Sequence, residues 1–168
     1  MALELNGTTG VSAVQAGSIQ SDDLAAGVGG KVLQVVNAEH STAESTTSGS
    51  FVDTSLNLSI TPSSTSSKIV LFCTVPFKTE RNSVNSGGAY FAIDRQGTVI
   101  VETNLYIIRT GSSGVHILRS HAGITYTDVP NTASSLTYTF QQKSNDGQTV
   151  TAFELNKTGT LTAMEIAG

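Results

Sequence analysis

Chemistry in a chain of 168 residues would have to come from its 3 histidines, 13 acidic residues and single cysteine. His116 and His121 are separated by an odd number, so a regular strand places them on opposite faces and they do not share a metal. His40 is expected in a loop far from both. The acids are scattered. Asp22 and Asp23 stand side by side, which suits a helix N-terminus rather than convergence on a sugar. Asp53, Asp94, Glu102, Asp128 and Glu154 stand singly, whereas glycoside hydrolysis needs two carboxyl groups roughly 5–9.5 Å apart. Cys73 lies among apolar neighbours and reads as a packed thiol, not a nucleophile. The G-x-S-x-G, P-loop and H-E-x-x-H patterns are missing, and "GSSG" (111–114) is a turn with no helix behind it. No enzyme, catalytic residue, metal or cofactor is expected.

Binding is a different matter, because aromatic rings near loops offer flat apolar faces to sugars at little entropic cost. The chain has 4 Tyr and 6 Phe. Tyr90 and Tyr106 flank the polar stretch "TERNSVNSGG" (79–88), whose Arg81, Asn82 and Asn85 can hydrogen-bond a glycan. Arg81, Asn82, Asn85 and Tyr90 are the expected receptor contacts.

Composition narrows the partners. Net charge is −4, and the 9 Lys and Arg form no run, so nucleic acid is not an expected partner. Charged residues are 13%, with Ser and Thr filling about a quarter of the chain. Thr suits half-exposed strands, since it fits the pleat while keeping a hydroxyl outward. The opening "MALELNGTTG" lacks the basic and apolar regions of a secretory signal, and no window approaches the ~20 apolar residues of a bilayer span. No membrane insertion is expected.

The elements that must carry these residues are strands. In "FVDTSLNLSITP" the residues Val52, Thr54, Leu56, Leu58 and Ile60 alternate with Asp53, Ser55, Asn57 and Ser59, a period of two. "SLTYTFQQK" repeats it, with Leu136, Tyr138 and Phe140 inward. Turn chemistry separates the runs: "TPSSTSSK", "DRQG" with Gly97 placed for a positive φ, "TGSSG" and "SNDGQ". Strands are expected at 31–37, 51–61, 68–78, 89–94, 98–103, 105–110, 114–128, 135–143, 149–155 and over "TLTAMEI". Many short strands without helices predict an all-β antiparallel sandwich or jelly roll over 31–168.

"KIVLFCTVPFK" is apolar on both faces, with Ile69, Leu71, Cys73, Val75 and Phe77 on one and Val70 and Phe72 on the other. Such a strand needs two covers. One is the facing sheet. The second is a neighbouring subunit, through Val70, Phe72, Tyr106 and Ile108, or else the 79–88 loop folded over it.

Residues 1–30 are too thin to fold alone. Two or three buried side chains bring ~1.5–3 kcal/mol each, against ~1–2 kcal/mol of backbone entropy per ordered residue. The segment is expected to order by self-association or docking, with Leu3, Leu5, Val11, Val14, Ile19 and Leu24 at a shared axis. The alternative is a disordered tail.

"AGSIQSDDLAAG" resembles the Gly/Ala-Ile-x-x-x-x-Leu-Ala-x-Gly units of trimeric bacteriophage tail-fibre shafts. "GKVLQVV", "FVDT…ITPSSTSSKI", Arg95-Gln96-Gly97 and "LTAMEIAG" resemble the strand-rich domains that follow such units in structural proteins of marine and cyanobacterial phages. The resemblance implies a homotrimer with a jelly-roll head of the tumour-necrosis-factor type, carried on a slender N-terminal attachment to other virion proteins. It implies a virion component, assembled in the host cytoplasm, that adheres to a host-surface glycan or protein. Only one shaft-like unit is present, which implies a stubby fibre on tail or capsid. A capsid decoration or adaptor protein is the alternative, and a bacterial surface lectin a weaker third.

Overall fold

The computed structural model describes residues 31–81, 87–107 and 115–168. Strand propensity governs nearly all of it. The strands are β1 (Val32–His40), β2 (Glu44–Thr46), β3 (Val52–Ile60), β4 (Lys68–Arg81), β5 (Gly87–Arg95), β6 (Thr98–Ile107), β7 (His116–Asp128), β8 (Leu136–Ser144), β9 (Thr149–Ala152) and β10 (Gly159–Ile166). A single 3-10 turn, Glu154–Asn156, separates the last two.

Two antiparallel sheets result. The first has six strands, built on β4. One edge of β4 pairs with β7 throughout, and the other pairs with β10 and then β9. Beyond these lie β1 and β2. The second sheet has four strands in the order β3-β8-β5-β6. The links β2–β3, β3–β4, β4–β5, β6–β7, β7–β8 and β8–β9 all cross between sheets, which is the winding of a jelly roll. The all-β sandwich expected from the alternation is what the chain adopts.

The alternation also picks the core. Leu56, Leu58 and Ile60 of β3, and Leu136, Tyr138 and Phe140 of β8, are buried. They meet Ile69, Leu71, Cys73, Val75 and Phe77 of β4. Phe91 joins the layers, 4.6 Å from the Phe77 ring and 5.6 Å from Phe140. Each large side chain so buried contributes about 1.5–3 kcal/mol.

Several expectations change. The two strands placed at 98–103 and 105–110 are one continuous β6, because Thr103 and Asn104 pair across to Phe91 and Tyr90 without a break. The expected strand 149–155 stops at Ala152, where Phe153 turns left-handed. His40 closes β1 rather than lying in a loop. Residues 79–81 prolong β4, so the part of the 79–88 stretch they represent does not fold over that strand.

The hairpin turn behaves as its glycine requires. Gln96 and Gly97 have φ of 51° and 89°, and the Gly97 amide donates to Asp94 Oδ1 at 2.8 Å.

The sandwich has two distinct ends. At one, here the base, Val32, Ile166 and Lys68 lie in one row beside Asp128. At the other, the crown, β4 ends at Arg81 opposite His116, β5 begins at Gly87 opposite Ile107, and β8 ends at Ser144. The chain enters and leaves the sandwich at the base.

Candidate functional site

Two features of the six-stranded sheet stand out. The first is an apolar stripe. Register places Val35, Met164, Val70 and Thr127 in one row, and Asn37, Thr162, Phe72 and Thr125 in the next. Phe72 is 44% exposed and Val35 55%, so the second apolar face of β4 is not covered by the described residues. Both rows lack charge. Lys68 stands at the basal margin and Glu39 in the row beyond Phe72.

The second feature is a recess of about 360 Å³ where β4 and β7 meet the β9–β10 turn. Pro76 and His121, partners in register, come from the strands, together with Arg119 and Ser120. Glu154, Leu155, Lys157 and Thr158 come from the turn. Arg119 Nε donates to Glu154 Oε1 at 3.0 Å. The Arg119 side chain is 52% exposed and that of Glu154 only 11%, so the carboxylate anchors and the guanidinium projects.

The turn is strained. Phe153, Leu155 and Asn156 have φ of 56°, 58° and 54°, a left-handed region that costs side-chain-bearing residues ~1–3 kcal/mol each. Its surroundings hold it in place. Phe153 is fully buried, edge-on to the His40 ring at 4.6 Å. The Ala43 amide donates to Asn156 Oδ1, and the Lys157 amide to the Glu154 carbonyl. The outcome is Leu155, 68% exposed, beside two cations.

The expected site residues are distributed as follows. Val70 and Phe72 lie together on the stripe, while Tyr106 belongs to β6 of the other sheet, opposite Gly88. Tyr90 sits within β5 next to Lys143, whose Nζ lies 4.6 Å from its ring centroid and 4.2 Å from that of Phe51. Its ring is therefore engaged by a cation on its own sheet. Arg81 ends β4 at the crown. Asn82, Asn85 and Ile108 lie outside the described residues, as do Leu3, Leu5, Val11, Val14, Ile19 and Leu24.

Sequence reasoning missed Arg119, Leu155 and Lys157, and took Glu154 for an isolated acid. The Arg119–Glu154 pair spans 35 positions, and no local spacing announces it.

Cys73 is 3% exposed, and burial pushes its thiol up to about 12. Among the described residues no three His, Cys, Asp or Glu side chains gather closely enough to hold a metal ion. No helix among them is long and apolar enough to cross a membrane.

No protein-family model matches the chain, and no curated protein matches it in sequence. Among solved structures it is similar to dimeric latent PorU from Porphyromonas gingivalis, at 11% identity and a TM-score of 0.44. That similarity covers 79% of this chain but 13% of the other, and at this level it carries no argument about activity.

Proposed function

We propose that the chain is a virion structural protein, a short trimeric fibre attached to the particle through residues 1–30 and adhering to the host surface by its β-sandwich head. The observation that carries this reading is the two-ended layout. The chain enters the sandwich at the base, beside Ile166, while the strands bounding 82–86 and 108–114 end at the crown. A head held at its base thus presents the ends of β4, β5, β6 and β7 at the far side.

The uncharged stripe of Val35, Val70, Phe72 and Met164 supports self-association. Like copies meet there without bringing like charges together, and burying Phe72 and its neighbours is favourable at ~25 cal/mol per Å². Three heads per fibre, and several fibres per particle, then convert weak contacts into firm attachment through effective concentration.

The test is solution mass by light scattering. The full chain is expected at three copies, and Phe72→Asp at one, with its circular dichroism unchanged. A monomeric wild-type chain overturns the trimer. Deleting residues 1–30 is expected to abolish incorporation into particles while leaving the head folded.

The same exposed stripe favours a second reading, capsid decoration, in which it lies on another virion protein. Heads that bind no host cells, together with particles that lose stability without the protein, decide for decoration.

A further inference from the structure

We infer that the recess between β7 and the β9–β10 turn binds a single carboxylate-bearing sugar, of the uronic acid type, with Arg119 as its principal anchor. The guanidinium is half spoken for. Its Nε is taken by Glu154, and its two Nη groups have no partner among the described residues. A planar fork of this kind matches a carboxylate in bidentate fashion. Lys157 adds a second cation on the opposite wall, so two positive side chains outnumber the one buried acid.

The rest of the lining selects a sugar over other carboxylates. Thr158 offers a hydroxyl and His121 a ring nitrogen, which suit the hydroxyl groups of a pyranose. Pro76 and the projecting Leu155 supply a small apolar wall for its C–H face. At about 360 Å³ the space is near the lower end of ligand sites, ~300–1,000 Å³, which admits one monosaccharide and excludes a long acyl chain.

The strained backbone fits the same picture. Left-handed Leu155 and Asn156 are expensive unless something fixes them. Here buried Phe153 and the Asn156–Ala43 bond do so, and the recess wall is formed before any ligand arrives. Such preorganisation lowers the cost of binding.

This inference rests on the adhesive reading only for the source of the sugar, a glycan of the host envelope. Binding itself is measured on the isolated full chain. Methyl β-D-glucuronide is titrated by NMR beside methyl β-D-glucoside and sodium acetate. The glucuronide is expected to bind at least tenfold more tightly than either. Arg119→Gln is expected to weaken it at least tenfold, Lys157→Gln and Leu155→Ser about threefold each, all with the wild-type mass and circular dichroism. Equal binding of glucoside overturns carboxylate recognition, and equal binding of acetate overturns the sugar. Should Arg119→Gln fail to fold, Lys157→Gln decides: wild-type affinity in that variant overturns the site. Failure here leaves the mass and particle experiments untouched, so the two readings fall separately.

Discussion

The Tyr138 hydroxyl donates to Asp128 Oδ2 at 2.7 Å, joining β8 of one sheet to the end of β7 in the other. Arg95 Nη1 reaches both oxygens of the same carboxylate at 2.8 Å. Asp128 is 5% exposed, so these bonds stand in for the water it has lost. Arg95→Met removes the cation paired with this buried carboxylate. It is expected to cost about 2–3 kcal/mol, below the ~3–5 of a wholly buried pair because Arg95 is partly solvated. Tyr138→Phe leaves the ion pair and is expected to cost about 1–2 kcal/mol. Urea denaturation measures both, and the reverse ranking would sink this account.

Glu165, fully buried in β10, predicts an acid limb of stability. Burial pushes its carboxyl up, but the Ser67 hydroxyl beside it, Gln34 Nε2 and the Ser63 amide and hydroxyl outweigh that and hold it below its ordinary 4.5. A depressed acid stabilises fully above its unfolded value and loses that contribution as pH falls through the folded one. Melting temperature is therefore expected to drop below about pH 4.5. Glu165→Gln, whose amide turns a donor toward donors, is expected to cost about 2 kcal/mol at neutral pH and to flatten the acid limb.

At the alkaline side the signs reverse. The Cys73 thiol is raised from 9.0 to about 12 by burial, so its contribution is complete below pH 9.0 and disappears as pH climbs toward 12. Tyr138, raised above 10.0 by burial and then by its bond to Asp128, adds a second loss in the same direction. Cys73 is expected to ignore thiol reagents in the native chain at pH 8 and to react fully in denaturant. Rapid native labelling is the contrary result.

Gly159 tests the packing behind the strained turn. A Cβ there would stand 2.7 Å from Phe153 Cε1 and 3.1 Å from Val75 Cγ2. Phe153 is buried and held left-handed, so it has little room to yield. Gly159→Ala is expected to destabilise by about 1–3 kcal/mol, as overpacking does. Phe153→Leu in the same background should recover part of it.

Local alternation made β3, β8 and the core face of β4 legible, because each depends only on neighbours two residues apart. The apolar second face of β4 was equally plain in Val70 and Phe72, and the described residues leave Phe72 exposed. Other features arise from distant register and could not be read locally. The three residues of β2 are a strand only because β9 supplies partners. Nothing in "AFELNK" announces left-handed Phe153 and Leu155, since neither residue type favours that conformation. The recess escaped for the same reason: Arg119 and Glu154 meet through the pairing of β7, β4 and β9.

The ladder from Val32 opposite Ile166 to His40 opposite Gly159 runs along the axis from base to crown. Its hydrogen bonds lie across that axis. A tug on Lys31 resisted at the crown would load them together, in shear, instead of peeling them one after another. The start of β1 at Val32 is thus a point where this pairing resists a pull along the axis.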